Sequence, residues 1–409
     1  MAITIQQDVS GYRPAYNDDF YVVESSNYTQ PNFQYIADLY VNGTYVTRLK
    51  TFPHATYGTG LFNPKRSIEN YVTKDFDLAT NLFATNDNSF CTYQLKFGEQ
   101  YGTSGTIYAN LTNTATKYVW NSIFDYEDYA SFDDTPYILS NSNTQFLTNA
   151  PDNLKIQSNE RNYLYGITAT SGDIYYLNIT TFDSAGAQID SYKLYNQYQN
   201  VSTDARKFFR VGVGTYNFND ISSGDYAYSE FGNFPVIGAN VASYNVQTSR
   251  QDGNVTSETR TYYVESMCTK TQTTRLYFLN KLGGYDAITF KNKTKINADI
   301  TRSNFKKPQG NWINSHAFEY GQADRGVTQY DTNIKDTFTI VSDWLTDAQS
   351  VWLEELFTSP DVYVDRNGEE RVPINITASS YETKQTAVAK LINYTLEYTH
   401  SYSRYRQRF

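Results

Sequence analysis

The chain has 409 residues, of which 39 are tyrosine and 24 phenylalanine, and its formal net charge is −9. Its two cysteines are too few for a disulfide scaffold, and its acidic balance argues against a general nucleic-acid binder, which needs a basic surface. The start, "MAITIQQDVSGYRP", has neither the basic nor the apolar region of a signal peptide, and no run of about 18 apolar residues occurs. We therefore expect a soluble, unexported chain without a membrane segment.

The tyrosine-rich composition predicts a mainly β fold of antiparallel β-sandwich domains with one or two short helices. The first clear element in chain order is a hairpin in residues 33–52, "FQYIADLYVNGTYVTRLKTF". Its Asn42-Gly43 dipeptide is favoured by a two-residue type I′ turn. Three later hairpins are predicted, with turns at Asp183 to Gly186, at Asp252-Gly253-Asn254 and at Gly283-Gly284.

Two helices are predicted. The clearer one lies in "LTDAQSVWLEELFTSPDVYV", where Thr346 and Gln349 match a capping box and Pro360 ends the helix. The apolar face of this helix is expected to contain Val351, Trp352, Leu356 and Phe357. A weaker helix is expected to begin near Pro64, with Ile68, Tyr71 and Val72 at helical spacing.

Three domains are predicted: residues 1–150 as an N-terminal β domain, 151–295 as a middle β-sandwich, and 296–409 as a C-terminal α+β domain with a basic tail. The first boundary follows from the polar, acidic, turn-rich segment 124–153. The second is placed near the basic run "KNKTKINADITRSNFKKP". Such a run can contact phosphates, but a solvated loop or a salt-bridging patch for an acidic neighbour is favoured.

Residues with catalytic or metal-binding potential are sparse. The three histidines, His54, His316 and His400, lack metal-ligand spacing, and neither cysteine lies in a CxxC motif. The segments "GVGTYNF" and "LGGYD" match neither a dinucleotide-binding nor a phosphate-binding loop. We therefore predict no catalytic residue, no metal and no cofactor, and expect a protein that is not an enzyme. Pairing of Cys91 with Cys268 stays open.

The acidic segment is the strongest exception. Its carboxylates could provide a pair for glycoside hydrolysis or ligands for calcium, although the spacing fits no EF-hand. These residues are Asp125, Glu127, Asp128, Asp133 and Asp134. An exposed acidic loop is the favoured interpretation, and ion binding by residues 124–134 stays open.

The C-terminal stretch "EYTHSYSRYRQRF" interleaves tyrosine with arginine, two residue types that anchor protein interfaces. It is predicted to dock on an acidic neighbouring subunit. The predicted interface residues are Tyr398, Tyr402, Arg404, Tyr405, Arg406 and Arg408. The alternative is a final strand with a frayed basic end.

Several segments together carry a resemblance to a family. They are "YIADLYVNGTYVTRLK", "GLFNPKRSIENYV", "LYFLNKLGGYDAITF", "WLTDAQSVWLEELFTSPDVYV" and "VPINITASSYETKQ". They resemble virion structural proteins of tailed phages of Bacteroidetes, including the crAss-like group, and in particular neck or tail ring components. The match contains no catalytic signature, so it transfers no active-site residue.

The resemblance implies a β-sandwich subunit repeated in a ring around the DNA channel, in a virion assembled in the host cytoplasm. The implied partners are copies of the chain itself, other neck or tail proteins or the portal, and DNA that passes without sequence-specific binding. An acidic body suits such a conduit because it repels the duplex. The particular ring, its copy number and its neighbours stay open.

Two other classes of function remain open. The chain could be a glycan-binding or glycan-cleaving tail module, in which exposed tyrosines stack on sugar rings beside the acidic loop. It could also be a bacterial adhesin or surface-layer subunit, which the missing signal peptide disfavours. In either case the tyrosines would not form contacts between like subunits. They would bind the ligand of that function, or would only cover the faces of their own strands.

Overall fold

The structure is a computed structural model. It describes residues 3–76, 82–169, 173–196, 208–219, 228–230, 235–266, 273–366, 370–378, 380–385, 391–402 and 404. The fold is mainly β with a few short helices, as predicted from the sequence. The chain forms two compact units: unit 1 contains residues 1–267 and 279–287, and unit 2 contains residues 268–278 and 288–409.

The first part of unit 1 consists of short strands and two short helices. The strands are β1 (Ile3–Gln7), β2 (Tyr12–Pro14), β3 (Tyr21–Ser25), β4 (Gln34–Val41), β5 (Thr44–Thr51), β6 (Gly60–Phe62), β7 (Phe83–Thr85), β8 (Phe90–Tyr101), β9 (Thr106–Asn113), β10 (Lys117–Trp120) and β11 (Ile138–Leu139). The helices are α1 (Lys65–Ile68) and α2 (Tyr126–Ala130), with 3₁₀ turns at Glu69–Tyr71, Asp87–Ser89 and Thr135–Tyr137. One sheet has the order β1-β3-β6 and a second the order β2-β10-β8-β4-β5, with β9 paired to β8.

The Asn-Gly hairpin is confirmed. Strands β4 and β5 pair antiparallel, and both turn residues adopt positive φ, 48° at Asn42 and 77° at Gly43, as a type I′ turn requires. The weaker predicted helix is also confirmed, as helix α1 followed by a 3₁₀ turn. Ile68 and Val72 are buried in the core, whereas Tyr71 is exposed.

The second part of unit 1 contains β12 (Leu154–Gln157), β13 (Tyr163–Thr168), β14 (Tyr176–Phe182), β15 (Gln188–Tyr195), β16 (Phe208–Gly212), α3 (Thr215–Asn219), β17 (Tyr228–Glu230), β18 (Ser243–Ser249) and β19 (Arg260–Glu265). These strands form two sheets, β11-β13-β16-β7 and β12-β19-β18-β14-β15-β17. The β14–β15 hairpin confirms the turn predicted at Asp183 to Gly186. The turn at Asp252-Gly253-Asn254 is confirmed as well, because the Arg250 amide donates to the Asn254 carbonyl.

Among its described residues, unit 1 contains two hydrophobic cores. One is formed by residues between Ile3 and Val119, and the other by residues between Leu82 and Tyr262. Leu82 and Phe83 precede the predicted boundary at residue 150 but pack in the second core, so this boundary lies inside unit 1. Apolar residues far apart in sequence share one core, which composition along the chain does not show.

The Gly283-Gly284 hairpin is confirmed: β20 (Thr274–Leu279) and β21 (Tyr285–Phe290) are neighbours in one sheet. Gly283 has a φ of 87°, and a Cβ atom at this residue would lie 2.0 Å from the Asn121 carbonyl oxygen. The turn is also held by Asn280, whose side-chain oxygen accepts from the amides of Leu282 and Gly284. Glycine is therefore required at residue 283 by both its backbone angle and its closest neighbour.

Unit 2 contains part of this hairpin and the strands that follow. They are β22 (Lys295–Lys306), β23 (Asn311–Asn314), β24 (Ala317–Glu319), β25 (Val327–Val341), β26 (Val362–Arg366), β27 (Glu370–Ile376) and β28 (Thr395–His400), with helix α4 (Asp347–Thr358) between β25 and β26. The main sheet has the order β21-β20-β26-β27-β28-β25-β22, and β23 pairs with β24. The boundary predicted between residues 295 and 296 lies at the start of β22.

Helix α4 begins with the predicted capping box, in which Thr346 and Gln349 bond to each other's backbone amides. One predicted core residue is wrong: Val351 is exposed, whereas Leu353 is buried. The ring of Trp352 lies 5.5 Å from that of Phe278 in strand β20, so the helix covers the main sheet through its Trp352 side. The buried face of helix α4 therefore includes Leu353, whereas the sequence predicted Val351 on that face.

Buried tyrosines make the fold sensitive to alkaline pH. Burial raises the pKa of Tyr262 and of Tyr398 to about 12, against an ordinary value of 10.0. The folded state keeps protons that the unfolded chain releases from about pH 10, so stability is intact below pH 10 and declines as pH rises toward 12. We expect tyrosinate absorbance to appear in two stages, with the buried rings titrating late and together with loss of circular dichroism. A single titration near pH 10 with the fold retained would contradict this.

Candidate interaction surface

A long two-stranded arm is the most exposed part of unit 2. The arm is defined as residues 295–341, from the start of β22 to the end of β25. Strands β22 and β25 pair antiparallel from Lys295 opposite Thr339 to Lys306 opposite Val327. Strand β22 is the last strand of the main sheet, so its outer edge has no neighbouring strand in the described part of the chain. Such an edge can accept a strand or surface of another chain.

Apolar side chains of the arm point into solvent. They are Ile296, Ile300, Phe305, Trp312, Ile313, Phe318, Tyr320, Val327 and Tyr330. Trp312 is 67% exposed and Tyr320 is 80% exposed. Exposed apolar residues scattered singly are normal, but a group of this kind on one element marks an interaction site.

One face of the arm continues the core face of the main sheet. Ile340 and Leu396 lie opposite each other on that face and are completely buried. The same alternation leads to Phe338 opposite Ile296, and then to Ile334 opposite Ile300. Ile296 and Ile300 are exposed, so the apolar face extends beyond the part of the sheet that is buried.

The end of the arm is an aromatic hairpin. Strands β23 and β24 pair antiparallel, with Trp312 opposite Phe318. The two rings meet edge to face with centroids 5.4 Å apart, and the ring of Tyr320 lies 6.4 Å from that of Phe318. This arrangement gives the end of the arm a compact aromatic surface of the kind enriched in protein interfaces.

The first strand of the arm is basic. Strand β22 contains three basic residues, Lys295, Arg302 and Lys306, against one aspartate, Asp299, which gives it a net charge of +2. Arg302 and Lys306 lie on the same strand face as Ile296 and Ile300, because side chains alternate along a strand. Neither Arg302 nor Lys306 forms an ion pair with any residue that the structure describes. The exposed face is therefore both apolar and basic.

Two of the predicted C-terminal interface residues, Tyr398 and Arg404, contact strand β25 of the arm. Tyr398 is buried and stacks on Phe338 of β25, with ring centroids 5.0 Å apart. Tyr402 is exposed, stacks on His400 and accepts a hydrogen bond from Arg366. Burial lowers the pKa of His400 below its ordinary value.

The tail stays close to its own sheet at Arg404. Its guanidinium donates to both carboxylate oxygens of Asp336, at 3.0 and 2.9 Å. Its backbone forms an antiparallel bridge with Ile334. The carboxylate that binds Arg404 therefore belongs to the same chain and not to a neighbouring subunit. Tyr405, Arg406 and Arg408 lie outside the described residues, so the docking predicted for them stays a prediction.

The acidic segment of unit 1 is anchored by aromatic rings. Phe124, Phe132 and Tyr137 pack around the buried ring of Trp120. The Trp120 indole donates to the Leu282 carbonyl at 3.2 Å. These contacts hold helix α2 in place and leave its carboxylates on the outside.

The carboxylates of this segment do not converge. Asp125 pairs with Lys281 at 2.6 Å, Asp133 accepts from the amide and hydroxyl of Thr135, and Asp134 accepts from the Tyr12 amide. Among the residues that the structure describes, no group of three or more histidine, cysteine, aspartate or glutamate side chains is placed to hold a metal ion.

Four exposed side chains at the start of helix α2 and just before it combine acid with apolar groups. They are called the acidic patch and belong to Ile123, Tyr126, Glu127 and Asp128. All four residues are exposed, and the Tyr126 side chain is 89% exposed. Neither Glu127 nor Asp128 forms an ion pair within the described part of the chain.

One buried cluster has the residue types of an active site. Asp19 accepts from the Arg13 guanidinium at 2.8 Å and from the Tyr129 hydroxyl at 2.5 Å. The hydroxyls of Tyr21 and Tyr93 extend the network. Burial raises the pKa of Tyr129, so its hydroxyl stays protonated and keeps donating to Asp19. Arg13 and Asp19 are buried, and these bonds join α2 to the strands of unit 1, which is a structural role.

The free thiol of Cys91 offers no reactive site. The residue is buried in strand β8, and burial raises the pKa of its thiol to about 12. A thiol with such a pKa remains protonated and is a poor nucleophile at neutral pH. Cys268, with which a pairing of Cys91 was considered, lies outside the described residues.

Sequence reasoning missed the arm as a structural element. Because lysines dominate its composition, the run beginning at Lys291 predicts a solvated loop or a salt-bridging patch near a domain boundary, whereas strand β22 lies there. The available signal was the alternation of Ile296, Ala298 and Ile300 with polar residues, because a period of two is typical of a strand. That pattern did not predict that these residues are exposed on the arm.

Among the described residues, no helix combines the length and the apolar character needed to cross a bilayer. The sequence matches no protein-family model, and comparison with curated proteins finds no relative.

Proposed function

We propose that this chain is a structural virion protein, a subunit of an oligomeric ring in the neck or tail of a tailed phage, through which DNA passes. In this role the chain acts by association and not by catalysis. Its partners are copies of itself and adjoining neck or tail proteins, including the portal. The assignment to a phage rests on the sequence resemblance, and the geometry of the arm supports association.

The observation that carries the proposal is the uncovered arm. Beyond the pairing of β25 with β28, the arm is a two-stranded hairpin, and such a hairpin is at best marginally stable in water by itself because it buries little apolar surface. This hairpin nevertheless presents Ile296, Ile300 and Trp312 to solvent. A partner that covers these side chains would remove apolar area from water at a gain of about 25 cal/mol per Å². The arm therefore suits a subunit whose stable form is an assembly.

Other features agree with a subunit beside a DNA channel. The chain carries a net charge of −9, which would keep passing DNA from adhering to it. The acidic segment is held by packed aromatic rings and internal hydrogen bonds, and Asp125 is already paired with Lys281. These contacts favour a role for the segment as an exposed acidic surface.

The test is the oligomeric state of the full chain. We expect purified protein, or protein released from virions, to form closed rings with cyclic symmetry, since closed symmetry dominates homo-oligomers. Mass photometry and electron microscopy of the particles would measure this. A chain that is absent from virions, stays monomeric and binds or cleaves a glycan would contradict the proposal and favour the glycan-directed alternative.

A further inference from the structure

We propose that the arm of one copy docks on the acidic patch of a second copy, so that the contact between copies joins two different surfaces. This inference rests on the proposed function and names the surfaces through which the subunits of the ring meet. The occupant of the arm is thus a second copy of this chain, and DNA or an unrelated protein is an alternative outcome of the test.

The chemistry of the arm defines the surface that it fits. Its uncovered face presents Ile296 and Ile300 beside Arg302 and Lys306. Burial of the two cations requires carboxylates opposite them, because an unpaired buried charge is strongly unfavourable. Burial of the isoleucines requires apolar groups close to those carboxylates. A complementary partner therefore mixes acid with exposed apolar side chains.

The acidic patch has this composition. Glu127 and Asp128 are exposed, as are the side chains of Ile123 and Tyr126, which precede them closely in sequence. The patch is also rigidly supported, because Tyr129 of the same helix bonds to the buried Asp19. A supported surface loses little conformational entropy on binding.

The distribution of charge between the units favours a contact between unlike surfaces. Unit 1 has 17 lysine and arginine residues against 28 aspartate and glutamate residues, a net charge of −11. Unit 2 has 17 against 15, a net charge of +2. Unit 2 of one copy therefore attracts unit 1 of another, whereas two copies of unit 1 repel each other.

A contact between unlike surfaces also has a consequence for symmetry. It leaves one free arm and one free patch on every pair of copies, so that further copies can add until the ring closes. A contact between two identical patches would stop at a dimer. The proposed pair of surfaces is therefore the kind that a ring requires.

The experiment is a charge exchange in the full chain. One variant carries Arg302→Glu and Lys306→Glu, and a second carries Glu127→Lys and Asp128→Lys. We expect each variant alone to associate at least about tenfold more weakly than the unchanged chain, because like charges then face each other. Sedimentation velocity over a concentration series would measure the association.

Mixing the two variants tests the pairing directly. The glutamates on the arm of the first variant then face the lysines on the patch of the second, so we expect the mixture to regain association close to that of the unchanged chain. The matched control is Lys295→Glu with Lys335→Glu, which reverses two exposed charges on the opposite face of the same arm. This control should associate normally.

The outcomes separate the two proposals. If rings form but the arm variant associates normally, or if the mixture regains nothing, the docking inference is wrong and the ring function survives. If the arm variant loses binding to a DNA duplex while its self-association is unchanged, the occupant is nucleic acid and the inference is also wrong. If the unchanged chain never associates and is absent from virions, the proposed function itself is wrong.

Discussion

Replacement of Gly283 by alanine is expected to destabilise the chain by about 2–5 kcal/mol. A positive φ costs a residue with a Cβ about 1–2 kcal/mol, and forcing extra atoms into a packed site costs about 1–3 kcal/mol more. Both terms apply at Gly283, where φ is 87° and the new Cβ would lie 2.0 Å from the Asn121 carbonyl oxygen. The Asn121 oxygen belongs to the backbone, so it cannot move aside as a flexible side chain would.

The matched control for this substitution is Gly253→Ala. Gly253 has nearly the same backbone angle, with a φ of 84°, but a Cβ there would meet no atom within 4 Å. We expect it to lose only the conformational part, about 1–2 kcal/mol. Urea unfolding followed by far-ultraviolet circular dichroism would measure both variants. Equal losses would show that the contact with Asn121 contributes nothing.

Substitution Asp19→Ala is expected to lower the free energy of unfolding by about 3–5 kcal/mol. Removing one partner of a buried ion pair leaves the other charge uncompensated in a site of low dielectric. Here the charge is the guanidinium of Arg13, whose side chain is 10% exposed. The hydroxyl of Tyr129 would lose its acceptor at the same time.

The neighbouring residue supplies the control. The side chain of Asp18 is 52% exposed, lies 3.6 Å from Lys65 and accepts from the Asn63 side-chain amide, so Asp18→Ala removes a surface ion pair and one exposed hydrogen bond. Such a pair contributes about 0–1 kcal/mol. Chemical denaturation of both variants would compare them under one condition. A loss at residue 19 no larger than that at residue 18 would show that the network around Asp19 does not stabilise the fold.

These two substitutions separate stability from association. Gly283 and Asp19 act inside unit 1, and neither belongs to the arm. The charge reversals at Arg302 and Lys306 alter exposed side chains, which rarely change stability by more than about 0.5 kcal/mol. A variant that remains folded and fails to assemble is therefore informative about the interface and not about the fold.

Local elements were predictable because their causes are local. The Asn42-Gly43 dipeptide tolerates the two positive φ angles of a tight hairpin turn, and the Thr346 and Gln349 pair satisfies the first amides of helix α4. Both features depend on residues within a few positions of each other. The mainly β class followed in the same way from composition and alternation.

Long-range packing was beyond the same reasoning. Leu82 and Phe83 join a core formed mostly by residues after position 150, and Tyr398 is buried against Phe338 although its segment was expected at a surface. The Gly283-Gly284 pair was identified as a turn, but its contact with Asn121 was not. Each of these facts depends on a partner far away in sequence.

The sequence by itself determined that this protein is built from β hairpins and where those hairpins turn. The tertiary structure decided which of those residues are covered. Identical alternation of apolar and polar side chains buries Ile340 and leaves Ile296 in solvent, because burial depends on what packs over a strand and not on the strand's own pattern.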